Sequence, residues 1–345
     1  MIVTERGEVM EAILSKRQEE LLKLIVEHYI KTAKPVSSKE LCDELNCSSA
    51  TIRNEMAMLE NYDLLEKTHT SSGRIPSDKG YRYYVDNIME PKELTGEDML
   101  MLQTIFKNNS LVLSDAIVKS MEIVSDLTNY TVVVLGNSSA DNKIVKIEVI
   151  PTSENKMTAI IITDKGHVEH RNVVIEENVS QLEIKQTVEI INKLIIGVPI
   201  SEVSKILEFE VKPVIDKYVK QHEALYNAFY NAFSDFSVKP DIKVSGQTKL
   251  LNEPEFNSAD KIRDILSKFE DRELIKSIKA TEDGINVYIG KENTIDNDVS
   301  IIKTYYTKDG VEGTIALIGP KRMEYDRARA LLNYIKESIN DGMGD

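Results

Sequence analysis

Ser49, Thr51, Arg53 and Asn54 are the side chains whose types and spacing first suggest chemistry. At about 100° per residue, Ala50, Arg53, Asn54, Ala57 and Asn61 share one side of a helix, and Ile52, Met56 and Leu59 form an apolar stripe on the other. The first side has the chemistry of a groove reader. Its alanines permit close approach, Arg53 presents a fork of donors, and Asn54 can pair with an adenine edge. Ser49 and Thr51 fall at the helix N-terminus, where phosphate is favoured. By spacing alone, a solvated helix face would look the same.

A second group follows. From Lys67 to Arg82 the charged residues are Lys67, Arg74, Lys79 and Arg82 against Asp78 alone, so this stretch is locally basic. Thr68, Thr70, Ser71 and Ser72 add short hydroxyl donors of the kind that position a phosphate backbone. The segment 64–76 reads as two extended pieces around a polar tip containing Gly73, a β-hairpin in the position of a wing. An ordinary solvated loop is the alternative.

Three helices must position these groups. Ser15 and Gln18 have capping-box spacing, and Leu21, Leu22, Ile25, Val26, Tyr29 and Ile30 recur on one face of a helix over 15–32. Pro35 disfavours helix at the residue before it, so 34–36 is extended. Ser37 and Glu40 form a second box opening a short helix to Leu45, and a turn at 46–48 leads into the helix from about Ser49 to Asn61. Two short helices joined by a tight turn match the helix-turn-helix plan.

The rest of the chain bounds what these residues can belong to. A length of 345 residues suits two or three domains, and 41% hydrophobic with 29% charged residues suits ordinary globular cores. The net charge of −14 argues against a non-specific polyanion binder, so nucleic-acid binding would rest on the local basicity. The two cysteines, Cys42 and Cys47, suit reduced thiols rather than a disulfide framework or a zinc site. No apolar run approaches a membrane span and the N-terminus lacks a secretory pattern, so a cytoplasmic protein without membrane contact is expected. Walker A, G-x-G-x-x-G, G-x-S-x-G and H-E-x-x-H patterns are absent, and His167 and His170 would point to opposite faces of a strand. Neither an enzyme nor a cofactor or metal site is expected.

The order of these motifs resembles a known family. Pro35-Val36, the run from Ser49 to Met56, Leu64-Leu65-Glu66, the run from His69 to Pro76 and the run from Gly80 to Asp86 are similar to the heat-inducible transcription repressor HrcA family. So are the distal segments from Gly246 to Phe256 and from Ile318 to Tyr325. The resemblance runs from about residue 15 to the C-terminus. It implies a multidomain α+β chain with an N-terminal winged helix-turn-helix, a GAF-like α+β domain and an inserted α/β dimerisation domain. It also implies a repressor of chaperone operons of the groE and dnaK type that binds the CIRCE inverted repeat as a homodimer. The GroEL chaperonin is the implied partner keeping it active.

On this reading the domains span 1–90, with 1–14 as an extension, then 91–142, 143–237 and 238–345, the second and last forming one GAF-like domain around the insertion. The residue pattern is compatible. Helices are expected at 95–107 and 110–128, a strand at 131–135, strands at 143–150, 157–163 and 167–175 with a turn at Asp164-Lys165-Gly166, and helices around 184–195, 201–209 and 213–233. A mixed pattern then returns: strand 241–245, helix 258–269, strands 285–289, 300–306 and 314–318 with a turn at Asp309-Gly310, and a helix over 325–338. In the 213–233 helix, Leu225, Phe229 and Phe233 share a side that could be monomer core or an isologous interface, and the resemblance favours the interface. A regulator controlled by a small ligand in the GAF-like domain is the alternative function. Tyr62-Asp63 departs from the family, in which a glycine-containing pair is commoner at that turn.

Overall fold

The computed structural model describes residues 2–3, 9–10, 14–68, 73–108, 111, 113–138, 142–153, 156–164, 168–175, 179–218, 222–234, 240–281, 284–308 and 311–341. Thr70, Ser71, His167 and the turn residues Lys165-Gly166 and Asp309-Gly310 lie outside the described residues. The chain divides into two compact units, the first made of Met1–Leu135 with Ile242–Asp345 and the second of Gly136–Asp241.

The first unit begins with a two-stranded ribbon, β1 (Ile2–Val3) and β2 (Val9–Met10). Helix α1 (Lys16–Thr32) follows, opened by the Ser15–Gln18 capping box and closed by Ala33 in the left-handed region. Next come α2 (Cys42–Leu45), α3 (Ser49–Asn61) and the antiparallel hairpin β3 (Leu65–Lys67) and β4 (Arg74–Pro76). Val36 bridges Arg74, so the extended Pro35 segment lies beside the hairpin. Ser77 caps α4 (Asp78–Tyr83), which continues as a π-helical turn at Tyr84–Ile88. Helices α5 (Gly96–Phe106) and α6 (Leu113–Thr128) lead into β5 (Thr131–Ser138).

The second unit is an antiparallel sheet of β6 (Ile144–Ser153), β7 (Lys156–Thr163) and β8 (Val168–Val174), in that order. Helix α7 (Gln181–Ile195) packs on it and covers one strand edge chemically. Asn192 accepts from Ile147 N and donates to Ile147 O, both at 2.8 Å, as a neighbouring strand would. The expected helix over 201–209 is short pieces: a 3₁₀ turn, α8 (Val203–Ile206) and a π turn at Leu207–Val211. The expected helix over 213–233 is represented by α9 (Lys212–Tyr218) and α10 (His222–Ser234), and residues 219–221 between them are not described.

β9 (Pro240–Ser245) returns the chain to the first unit. There follow α11 (Gln247–Leu250), α12 (Ala259–Glu270), α13 (Arg272–Lys276), β10 (Ile285–Ile289), β11 (Val299–Lys308), β12 (Val311–Pro320) and α14 (Tyr325–Asp341). The strands form one sheet in the order β10-β11-β12-β5-β9. Successive side chains of a strand face opposite sides, and here both sides are apolar. Val132, Val134, Ile315 and Leu317 join the core under α5, α6 and α14, whereas Val133, Leu135, Ala316 and Ile318 join the core under α12 and α13.

The winged helix is continuous with this domain. Leu21, Leu22 and Ile25 of α1 and Ile52 and Leu59 of α3 belong to the same core as Leu331 and Ile335 of α14. Tyr81 and Tyr325 meet at the junction with ring centroids 6.0 Å apart.

Candidate nucleic-acid interface

The helix expected to read a groove starts at Ser49, as its sequence pattern suggests. Ser48 is its cap, accepting from Thr51 N at 3.2 Å and lying 3.0 Å from the Thr51 hydroxyl. Ser49 shares a hydrogen bond with Ser38 across 2.8 Å, which fixes the turn before α2 against the first turn of α3. Both hydroxyls therefore organise the helix start. Ile52, Met56 and Leu59 are buried, and the opposite side, Ala50, Arg53, Asn54, Ala57 and Asn61, is exposed. Arg53 and Asn54 have no hydrogen-bond or ion-pair partner among the described residues. Their donors are free for a base edge.

The cations of the wing region divide into two groups. Lys67 and Lys79 lie at the surface, their side chains 61% and 55% exposed, near Glu60 at 3.6 Å and Asp63 at 2.8 Å. Exposed pairs of this kind open at little cost, so both ammonium groups can meet a phosphate. Arg74 is placed differently. Its side chain is only 8% exposed, and its guanidinium meets Glu60 through Nε at 3.0 Å and a terminal nitrogen at 2.8 Å. The pair forms a fork joining the hairpin to the C-terminal end of α3.

Arg82 also meets carboxylates within the chain. It faces β10, donating to Val287 O at 2.5 Å, to Glu292 and to Asp86 at 3.2 Å. It ties α4 to β10 and the turn that follows it. Lys321 on Asp78 at 2.9 Å and Arg322 on Glu255 at 2.6 Å, on Glu253 and on Ile30 O at 3.3 Å add to the same contact. Tyr81 lies among these groups with its hydroxyl buried and lacking a hydrogen-bond partner among the described residues. Burial pushes its pKa well above the ordinary tyrosine value.

The turn that departs from the family pattern is accounted for by Asp63. Its φ of 60° is the left-handed conformation that glycine adopts freely and that Asp tolerates better than most residues. The hydrogen bond from Lys79 holds its carboxyl below the usual carboxylate range. Gly80 is required nearby, because a Cβ there would come within 2.1 Å of Leu64 O.

Sequence reasoning missed Lys39. It is exposed and directly follows Ser38, so the Ser38–Ser49 hydrogen bond places its backbone beside the start of α3. The signal was present in the second capping box, but that box gives no tertiary neighbour. Glu60 was missed too, since nothing in helical periodicity marks it as the acceptor for Arg74.

Residues 13–87 match the model of the winged helix-turn-helix transcription repressor, HrcA DNA-binding family, and residues 114–328 match that of the HrcA protein C terminal domain. The chain belongs to the HrcA family. It is 35% identical over 339 residues to the heat-inducible transcription repressor HrcA of Bacillus pumilus, covering 96% of this chain and 99% of that one. The HrcA of Listeria monocytogenes is 36% identical over 335 residues, covering 95% and 97%. A solved structure titled as a hypothetical protein at 2.2 Å resolution superposes with a TM-score of 0.65 at 25% identity, covering 95% of this chain and 98% of that one.

As an HrcA-family chain it is a heat-inducible transcription repressor with a winged-helix DNA-binding domain. Among the described residues no helix is long and apolar enough to cross a membrane, and no three His, Cys, Asp or Glu side chains gather as metal ligands. The aromatic side of α10 packs inside the second unit. Leu225, Phe229 and Phe233 are wholly buried within a single chain, in the core formed by Ile147, Ile161, Ile191 and Ile215. Phe229 and Phe233 stack at 5.6 Å there, within the core of one chain.

Proposed function

We propose that the chain acts in the cytoplasm as a homodimer whose winged helices each read one arm of the CIRCE inverted repeat ahead of chaperone operons. The open face of α3 carries this reading: Arg53 and Asn54 are exposed and unpartnered among the described residues. Lys39, Lys67 and Lys79 would bind flanking phosphates, and Ser49 and Thr51 would hold the helix start in place. Thr70 and Ser71 of the hairpin tip belong to the same proposed surface. A two-fold protein then meets a two-fold operator.

The dimer surface is placed on the second unit. Ile150, Ile160, Ile162, Val168 and Val174 lie on the side of its sheet away from the core, and Val168 and Val174 are 57% and 66% exposed. β8 also ends the sheet, with β7 as its one neighbour among the described residues. The GroEL chaperonin would stabilise the DNA-competent state by binding it preferentially, so client proteins that occupy the chaperonin on heating would lower the active fraction.

Fluorescence anisotropy on a CIRCE-type duplex and a scrambled duplex, at fixed salt and with or without GroEL, tests the scheme. Preference for the repeat that strengthens with GroEL is the expected result. Equal weak binding to both by folded, dimeric protein would overturn the operator assignment.

A further inference from the structure

Arg329 of α14 is half-buried and has no hydrogen-bond or ion-pair partner among the described residues. It lies where two clefts meet, since both are lined by Arg329 and Ile285. The larger, of about 470 Å³, has an apolar wall of Met89, Leu94, Met99, Ala330 and Tyr334. The smaller, of about 350 Å³, is polar and bounded by Arg82, Asp86 and Asn286.

The other charges at this place are largely spent. Lys92 lies 3.5 Å from Asp326 and 3.8 Å from Glu324, Glu337 accepts from Asn333 at 2.8 Å, and Arg82 is held by Asp86 and Glu292. Glu93 is exposed at the rim. Arg329 is left as a guanidinium without a direct partner among the described residues, at the end of an apolar cleft large enough for a small organic molecule. A carboxylate or sulfonate would supply the bidentate acceptor that it lacks, and an apolar body would cover the methionines.

We infer that this cleft is a binding site for an amphipathic organic anion. The site is independent of the DNA reading. Its walls nonetheless bear on it, because Val85, Asp86 and Met89 belong to the π turn and linker that leave the winged helix, whereas Ile285 and Arg329 belong to the GAF-like domain. An occupant would touch both.

The probe is 8-anilinonaphthalene-1-sulfonate, titrated by fluorescence into the full chain and competed with decanoate or with neutral decanol. Decanoate should displace the bound dye at concentrations at least tenfold below those of decanol. Arg329→Gln should abolish that preference while the thermal midpoint stays in place. Ala330→Phe, which fills the cleft and keeps the charge, should remove the same component of dye binding. Equal displacement by decanol, or unchanged decanoate competition in both variants, would overturn the site. DNA anisotropy of Arg329→Gln without ligand separates the two readings, because operator preference should survive the loss of the anion site.

Discussion

Arg74 on the wing and Glu60 near the end of α3 form a two-point fork, with nitrogens 3.0 and 2.8 Å from the same carboxylate oxygen. A basic residue in a basic stretch is thereby removed from the DNA-facing set and given the task of fixing the hairpin against the helix. Lys67 shares Glu60 at 3.6 Å but remains on the surface. The two cations should therefore respond differently to substitution. Arg74→Ala should lower urea stability by about 2 kcal/mol, below the loss for a fully buried pair because Glu60 is partly solvated. The salt dependence of DNA binding by its folded fraction should not change. Lys67→Ala should do the reverse, leaving stability nearly constant and reducing the salt slope of log K by about one. A reduced slope for Arg74→Ala, measured by anisotropy from low to physiological salt, would restore it to the phosphate contacts.

Arg53 should carry sequence preference rather than general affinity. Arg53→Ala is expected to lose about 1–3 kcal/mol on the inverted repeat and much less on scrambled DNA. The ratio of the two anisotropy-derived constants checks this, and equal losses on both duplexes would remove Arg53 from base reading.

Tyr81 should be better without its hydroxyl. The oxygen is buried beside Tyr325 and has no hydrogen-bond partner among the described residues, so the folded state bears its desolvation without return. Tyr81→Phe keeps the ring and should raise stability by about 1 kcal/mol, seen as a higher denaturant midpoint at an unchanged slope. A loss of stability would show that the hydroxyl is satisfied in solution.

The same junction should make the protein sensitive to alkali. Burial raises the pKa of Tyr81, Tyr130 and Tyr325 above the ordinary value of 10.0. In the unfolded chain these phenols release protons near pH 10, whereas in the folded chain they retain them, so the unfolded state binds fewer protons above that pH. Their contribution is fully present below pH 10 and falls as pH rises further, by up to about 1.4 kcal/mol per pH unit for each group. Urea midpoints measured from pH 8 to 11 should fall only in the upper part of that range. A flat profile would show that the rings ionise alike in both states.

What the sequence disclosed follows from how local each feature is. The α3 stripe of Ile52, Met56 and Leu59 and the Ser15 capping box depend on neighbours within a few residues, and both are legible from spacing. The inward turn of Arg82 depends on Glu292 and Val287, about two hundred residues away, and no local pattern carries it. The Arg74–Glu60 pair was illegible for the same reason, because a cation in a hydroxyl-rich hairpin looks alike whether it faces solvent or a carboxylate. The motif around Arg322 shows the complementary case. Its residues were recognisable as a block, yet their joint task, holding α1 through Ile30 and the segment of Glu253 and Glu255, appears only when the chain is folded.

The aromatic residues of α10 raise the same ambiguity, and a pair of substitutions resolves it. A charge at Phe229 would enter a core already closed within one chain, with Leu225, Phe233 and Ile191 around it. Phe229→Asp should therefore unfold the second unit rather than separate intact protomers, and circular dichroism should show the loss. Val174 is 66% exposed on the outer side of the sheet, so Val174→Asp costs little in the monomer. If that side is the dimer surface, the charge would face its own copy across the two-fold axis, and self-association should weaken at least tenfold with secondary structure intact. Sedimentation velocity across a concentration series reads both variants. A Val174→Asp dimer as tight as the parent would move the interface off this sheet.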